Sequence, residues 1–95
     1  MSAIARAKMH TVELLEEACQ VLERLGYRVR TEALDSGEGG VCEFGGRKWL
    51  FLDAAANPAE HLRAVLEVLR GEFYIERVAM SAALRGLIAQ RSAAA

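Results

Sequence analysis

A mostly apolar stripe runs through the first quarter of the chain at three- and four-residue steps: Ile4, Ala7, Thr11, Leu14, Ala18, Val21 and Leu25. Val12, Leu15, Cys19 and Leu22 widen it. That period is the mark of an amphipathic helix, here over residues 2–25. Glu13, Glu16, Glu17, Gln20, Glu23 and Arg24 form its solvated face, and Gly26 stands where a helix-ending glycine is expected. Thr11 offers an alternative N-cap, so residues 1–10 are expected to fray.

The period then changes to two. In "YRVRTEAL", Tyr27 and Val29 point one way while Arg28, Arg30 and Glu32 point the other, as in a strand with one apolar side. "DSGEGG" reads as a polar turn. "VCEF", Gly45-Gly46 and "RKWLFLD" read as a hairpin. A two-residue turn sets Phe44 opposite Arg47, Glu43 opposite Lys48, Cys42 opposite Trp49 and Val41 opposite Leu50. The register gains support from one opposite-charge pair and one thiol–aromatic pair. With Cys42, Phe44, Trp49 and Phe51 taken as inward, Val41, Leu50 and Leu52 project outward.

Helical spacing returns in "NPAEHLRAVLEVLRG". Asn57 is the expected cap, Pro58 the first helical residue and Glu60 the capping-box acid. Leu62, Val65, Leu66 and Leu69 form the stripe expected to be buried, and Gly71 ends the element. "EFYIERVAM" connects to a last helix, from Ala82 to about Gln90, capped by Ser81. Its apolar positions are Leu84, Leu87 and Ile88. Residues 91–95, "RSAAA", read as a frayed tail.

These elements predict an α+β fold in one domain spanning residues 1–95. A long N-terminal helix leads into a three-stranded antiparallel meander, followed by two helices, with the helices packed on one sheet face. Composition agrees: 95 residues, 53% hydrophobic and 26% charged, suit one modest core. Twelve basic residues against 13 acidic ones leave a net charge of −1 and no basic block, so neither nucleic acid nor an anionic membrane is an expected partner. No secretory leader and no membrane-spanning apolar run are read in the sequence, which points to the cytoplasm.

The residues with chemical potential are few. Residues 36–53 hold five of the eight glycines, Cys42 and the single tryptophan. A phosphate loop needs Gly-x4-Gly-Lys-Ser/Thr followed by a helix. That spacing is absent and a strand follows, so the glycines read as shapers of backbone, with Gly37, Gly39 and Gly40 supplying positive φ. Cys42, placed beside Trp49 and Phe44, reads as a packed thiol, and Cys19 likewise. His61 follows Glu60 without the second histidine of a zinc-peptidase helix, so no metal or other cofactor is expected. Asp53, at the end of an apolar strand, is either a shifted carboxylate or a turn initiator.

"LGYRVRTEAL", "GGVCEFGGRKWLFLD", "EHLRAVLEVL" and "VAMSAALRGLI" together resemble a family of small bacterial proteins of unknown function that carry a Gly-Gly-x-Cys strand motif. Gly39, Gly40, Cys42, Phe51, Leu52, Ser81 and Arg85 carry the resemblance, which covers roughly the last seventy residues. It implies the same order of elements and carries over no function.

The functional expectation is a non-catalytic module that associates with itself or with a protein partner. Val41, Leu50 and Leu52 are its expected homodimer interface, because an apolar strand edge invites pairing with a second chain. The alternative is a thiol-dependent enzyme or small-ligand binder using a pocket near Cys42, Asp53 and His61.

Overall fold

The computed structural model describes residues 3–34 and 39–90, with side chains from residue 10 onward. The expected frayed tail, most of the polar turn before the hairpin and Ser2 lie outside those residues. Three helices, α1 (Ala3–Arg24), α2 (Pro58–Arg70) and α3 (Ala82–Ala89), accompany three strands, β1 (Tyr27–Glu32), β2 (Gly40–Phe44) and β3 (Arg47–Asp53). A 3-10 turn, Ile75–Arg77, stands between α2 and α3. The backbone of residues 3–10, expected to fray, continues α1.

Local chemistry sets the ends of these elements. Gly26 takes φ +100° after α1, a left-handed conformation that costs a glycine little. The Asn57 side chain accepts from the Glu60 amide at 2.9 Å, and the Ser81 hydroxyl accepts from the Leu84 amide at 3.1 Å. Both are N-cap bonds that satisfy an orphan donor of the first turn. Gly71 ends α2 with an ordinary right-handed φ of −86°.

The hairpin has the expected register, with Phe44, Glu43, Cys42 and Val41 opposite Arg47, Lys48, Trp49 and Leu50. Its two-residue turn places Gly45 at φ +62° and Gly46 at +73°, the pair of positive angles that joins twisted strands without splaying them.

The sheet itself is not the expected antiparallel meander. Its order is β1-β3-β2, and β1 runs parallel to β3, with Tyr27 level with Lys48, Val29 with Leu50 and Thr31 with Leu52. The chain leaving β1 therefore crosses the end of β3 to begin β2 on the far side. Gly39 permits that crossing, since a Cβ there would lie 2.8 Å from the Phe51 carbonyl oxygen. β3 is the strand with apolar residues on both sides, and the central position pairs both its edges, as such a strand requires.

The parallel register also reverses the expected faces of the hairpin. Leu50 and Leu52 share a face with Tyr27 and Val29 and are 1% and 5% exposed. They join Ala18, Val21, Leu22, Leu62, Val65, Leu66, Leu69, Ile75 and Leu84 in one core. All four positions expected for the buried face of α2 are there. Trp49 and Phe51 point away from this core, and Cys42 and Phe44 are exposed.

Polar contacts tie the helices together. Both oxygens of the Glu17 carboxylate accept from Ser81, one from the backbone amide and one from the hydroxyl, each at 2.6 Å. These bonds hold the Glu17 carboxyl below its ordinary pKa, with desolvation and the Arg24 charge as lesser influences. Glu17, expected to lie on a solvated face, is thus a clamp between α1 and the start of α3. At the other end of α3, the Arg70 guanidinium donates to the carbonyls of Ile88, Leu87 and Gln90 at 3.1, 2.8 and 2.9 Å. Arg85 donates to the Val78 carbonyl.

Candidate functional site

Among the described residues no helix covers the outer face of the sheet, and that face is the candidate site. The alternation that sends Leu50 and Leu52 into the core sends Trp49 and Phe51 out, and the hairpin register adds Phe44 and Cys42 beside them. Phe44 and Trp49 have ring centroids 5.3 Å apart with planes 2° from parallel; Trp49 and Phe51 are 6.0 Å apart and 8° from parallel. Near-parallel rings at these spacings fall in the range of offset stacking and form a continuous ladder. Phe44 is 56% exposed.

Charge is ordered along this face. Arg47 begins β3, Arg28 stands level with Trp49 and Arg30 with Phe51, while Glu32 and Asp53 share the far end. Arg30 Nε lies 3.4 Å from Glu32 Oε1, an exposed pair worth little to stability. The face is therefore basic at one end, aromatic along its middle and acidic at the other end. A hollow of about 350 Å³ lies near the acidic end, lined by Glu32, Leu34, Gly39, Gly40, Cys42 and Phe51 among others.

The interface expected at Val41, Leu50 and Leu52 is corrected by this arrangement. The two leucines are core residues under the helices, because the parallel pairing with Val29 and Thr31 fixes their side. Val41 is 49% exposed on the same inward side, beyond the cover of the helices. It borders a groove of about 440 Å³ between the hairpin and α2, whose polar rim includes Glu60, His61 and Glu67.

Of Cys42, Asp53 and His61, the last two meet and Cys42 stands apart. Cys42 is level with Trp49, four residues from Asp53 along β3, which at ~3.3 Å per residue is about 13 Å. The Asp53 carboxylate accepts from the Ala55 amide at 3.0 Å, which makes Asp53 the turn initiator. Half-buried His61 has Nε2 2.6 Å from the Asp53 backbone oxygen. A carbonyl only accepts, so Nε2 carries the proton and is engaged in holding β3 to α2. Cys42, expected to be packed, is an exposed free thiol. Cys19 is half-buried against the core, and burial, with a smaller push from Glu23, raises its pKa. Both features make Cys19 a poor nucleophile at neutral pH. Among the described residues no three His, Cys, Asp or Glu side chains are grouped to hold a metal ion, and no helix is long and apolar enough to cross a membrane.

A smaller apolar spot lies on the connection after α2. Phe73 is 90% exposed and meets Tyr74 edge to face at 5.2 Å. Tyr27, by contrast, is buried and donates its hydroxyl to Glu72 at 3.2 Å, with Lys48 Nζ 5.4 Å above its ring. Burial, then the Glu72 charge, raises the Tyr27 pKa, so this group stays a donor.

Comparison with protein-family models, curated proteins and solved structures finds no match.

Proposed function

We propose that this chain is a non-catalytic association module whose contact surface is the helix-free face of its sheet. The Phe44–Trp49–Phe51 ladder carries this reading. Large, rigid aromatic side chains are enriched where proteins bind one another, because each buries much area at small entropic cost. Here they form a contiguous stripe on the side away from the core, while smaller leucines fill the core on the other side. The thiol-enzyme reading has weaker support: Cys42 stands apart from Asp53 and His61, and those two are engaged in a turn and a strand–helix contact. Two free thiols fit a reducing compartment, and we assign the module to the cytoplasm.

The test is photo-crosslinking. A benzoyl-phenylalanine placed at Phe44 is compared with the same group at Arg63, an exposed position of α2. The sheet-face position is expected to give a discrete protein adduct in cells and the helix position none. Equal yields from the two positions would remove the reading.

A further inference from the structure

We infer that the partner on this face is a second copy of the chain, related by a two-fold axis that crosses the strands opposite Leu50. This rests on the association reading and adds its partner and geometry. Two sheets packed face to face keep their strands roughly aligned. If the two β3 strands run antiparallel about position 50, the opposing levels follow from the observed register.

Arg47 of each copy then lies opposite Asp53 of the other, so the basic end of each face meets the acidic end of its partner. Trp49 lies opposite Phe51, twice. Arg28 comes opposite Arg30, also twice; Glu32, paired with Arg30 in its own chain, offsets one of the two positive charges and leaves each contact at +1. Cys42, level with Trp49, comes opposite Gly40, level with Phe51. No atom lies within 4 Å of where a Cβ of Gly40 would stand, so there is room for a facing side chain. Phe44 falls at the Gly39–Gly40 end of the partner's β2, beside the hollow of about 350 Å³ near Cys42 and Phe51. With the opposite, parallel arrangement, Arg47 would face Arg47 and Asp53 would face Asp53. Like charges then oppose one another at both ends with no opposite-charge contact to offset them, whereas the antiparallel pairing sets two Arg47–Asp53 contacts against its two partly compensated arginine contacts, and this favours the antiparallel pairing.

Size sets the strength. Three strands at ~4.8 Å and seven residues at ~3.3 Å make a flat face of about 14 by 23 Å. That falls well short of the roughly 800 Å² per partner of a standard stable interface, so the dimer is a weak, reversible one.

The experiment is sedimentation from about 10 µM to 1 mM, a range suited to an interface this small, on the full chain and three variants. The wild type is expected to pass from monomer to dimer within the range. Arg47→Glu and Asp53→Arg should each weaken self-pairing at least tenfold, and an equimolar mixture of the two should restore a dimer, because the reversed charges meet only in the mixed pair. Asp53→Asn, which keeps an oxygen for the Ala55 amide, should weaken the dimer several-fold without loss of fold. Labelling of Cys42 by a thiol reagent should slow as concentration rises. A monomer throughout the range overturns the self-pairing; a photo-adduct from position 44 to a different protein would then leave the association surface itself standing. A dimer indifferent to Arg47→Glu, or no rescue on mixing folded variants, overturns the antiparallel geometry.

Discussion

The two faces of the sheet are built from the same three strands yet have opposite fates. The inner face puts Leu50 and Leu52 under α1 and α2 with Tyr27 and Val29, and these residues are buried or half-buried. The outer face carries larger rings at Phe44, Trp49 and Phe51, and no helix among the described residues lies above them. Size and hydrophobicity alone would have put the aromatics inside. Register decided otherwise: because the side-chain period is two, the pairing of β1 with β3 sends every second residue of β3 to the side where the helices lie. The aromatics that remain outside find partial shelter in one another and leave an apolar stripe that a partner can cover.

The contrast predicts very different costs for substitutions one residue apart. Leu50→Ala removes a side chain that is 1% exposed and should destabilise the fold by about 2–5 kcal/mol, read by chemical denaturation. A loss below about 1 kcal/mol would mean the faces are assigned the wrong way round.

The Glu17–Ser81 clamp gives a smaller, pH-dependent effect. The folded-state pKa of Glu17 is depressed, so its contribution is present above the ordinary glutamate pKa near ~4.3 and is lost as pH falls through the lowered folded value. Stability should therefore fall on acidification, and Glu17→Gln should flatten that part of the profile while lowering stability at neutral pH. An unchanged acid limb in the variant would show that the clamp does not form. The group is largely in contact with water, so the effect is modest.

Trp49→Thr should change monomer stability least, by less than about 1 kcal/mol, since the residue stands outside the core and threonine suits a strand. The same substitution should abolish concentration-dependent association. A loss as large as that of Leu50→Ala would make the ladder part of the fold rather than a contact surface.

Legibility in the sequence followed the range of the interaction. α2 was readable because its signals are local: Asn57, Pro58 and Glu60 lie within one turn, and Leu62, Val65, Leu66 and Leu69 repeat along one face. The hairpin register was readable for the same reason, through Gly45-Gly46 and the Glu43–Lys48 pair. The candidate site was legible only as residue types. Phe44, Trp49 and Cys42 were correctly placed as neighbours, but on the wrong face.

What the sequence by itself determined is the set of elements, their caps and the pairing across one tight turn, all of which rest on contacts between residues a few positions apart. The tertiary structure alone decided that β1 runs parallel beside β3, that Leu50 and Leu52 are core, that Glu17 reaches Ser81, 64 positions away, and that the aromatics face solvent. The physical reason is that a strand carries two alternating faces and two edges. Local pattern shows that the faces differ, but only pairing with a distant strand and the docking of helices on one side decide which face is covered.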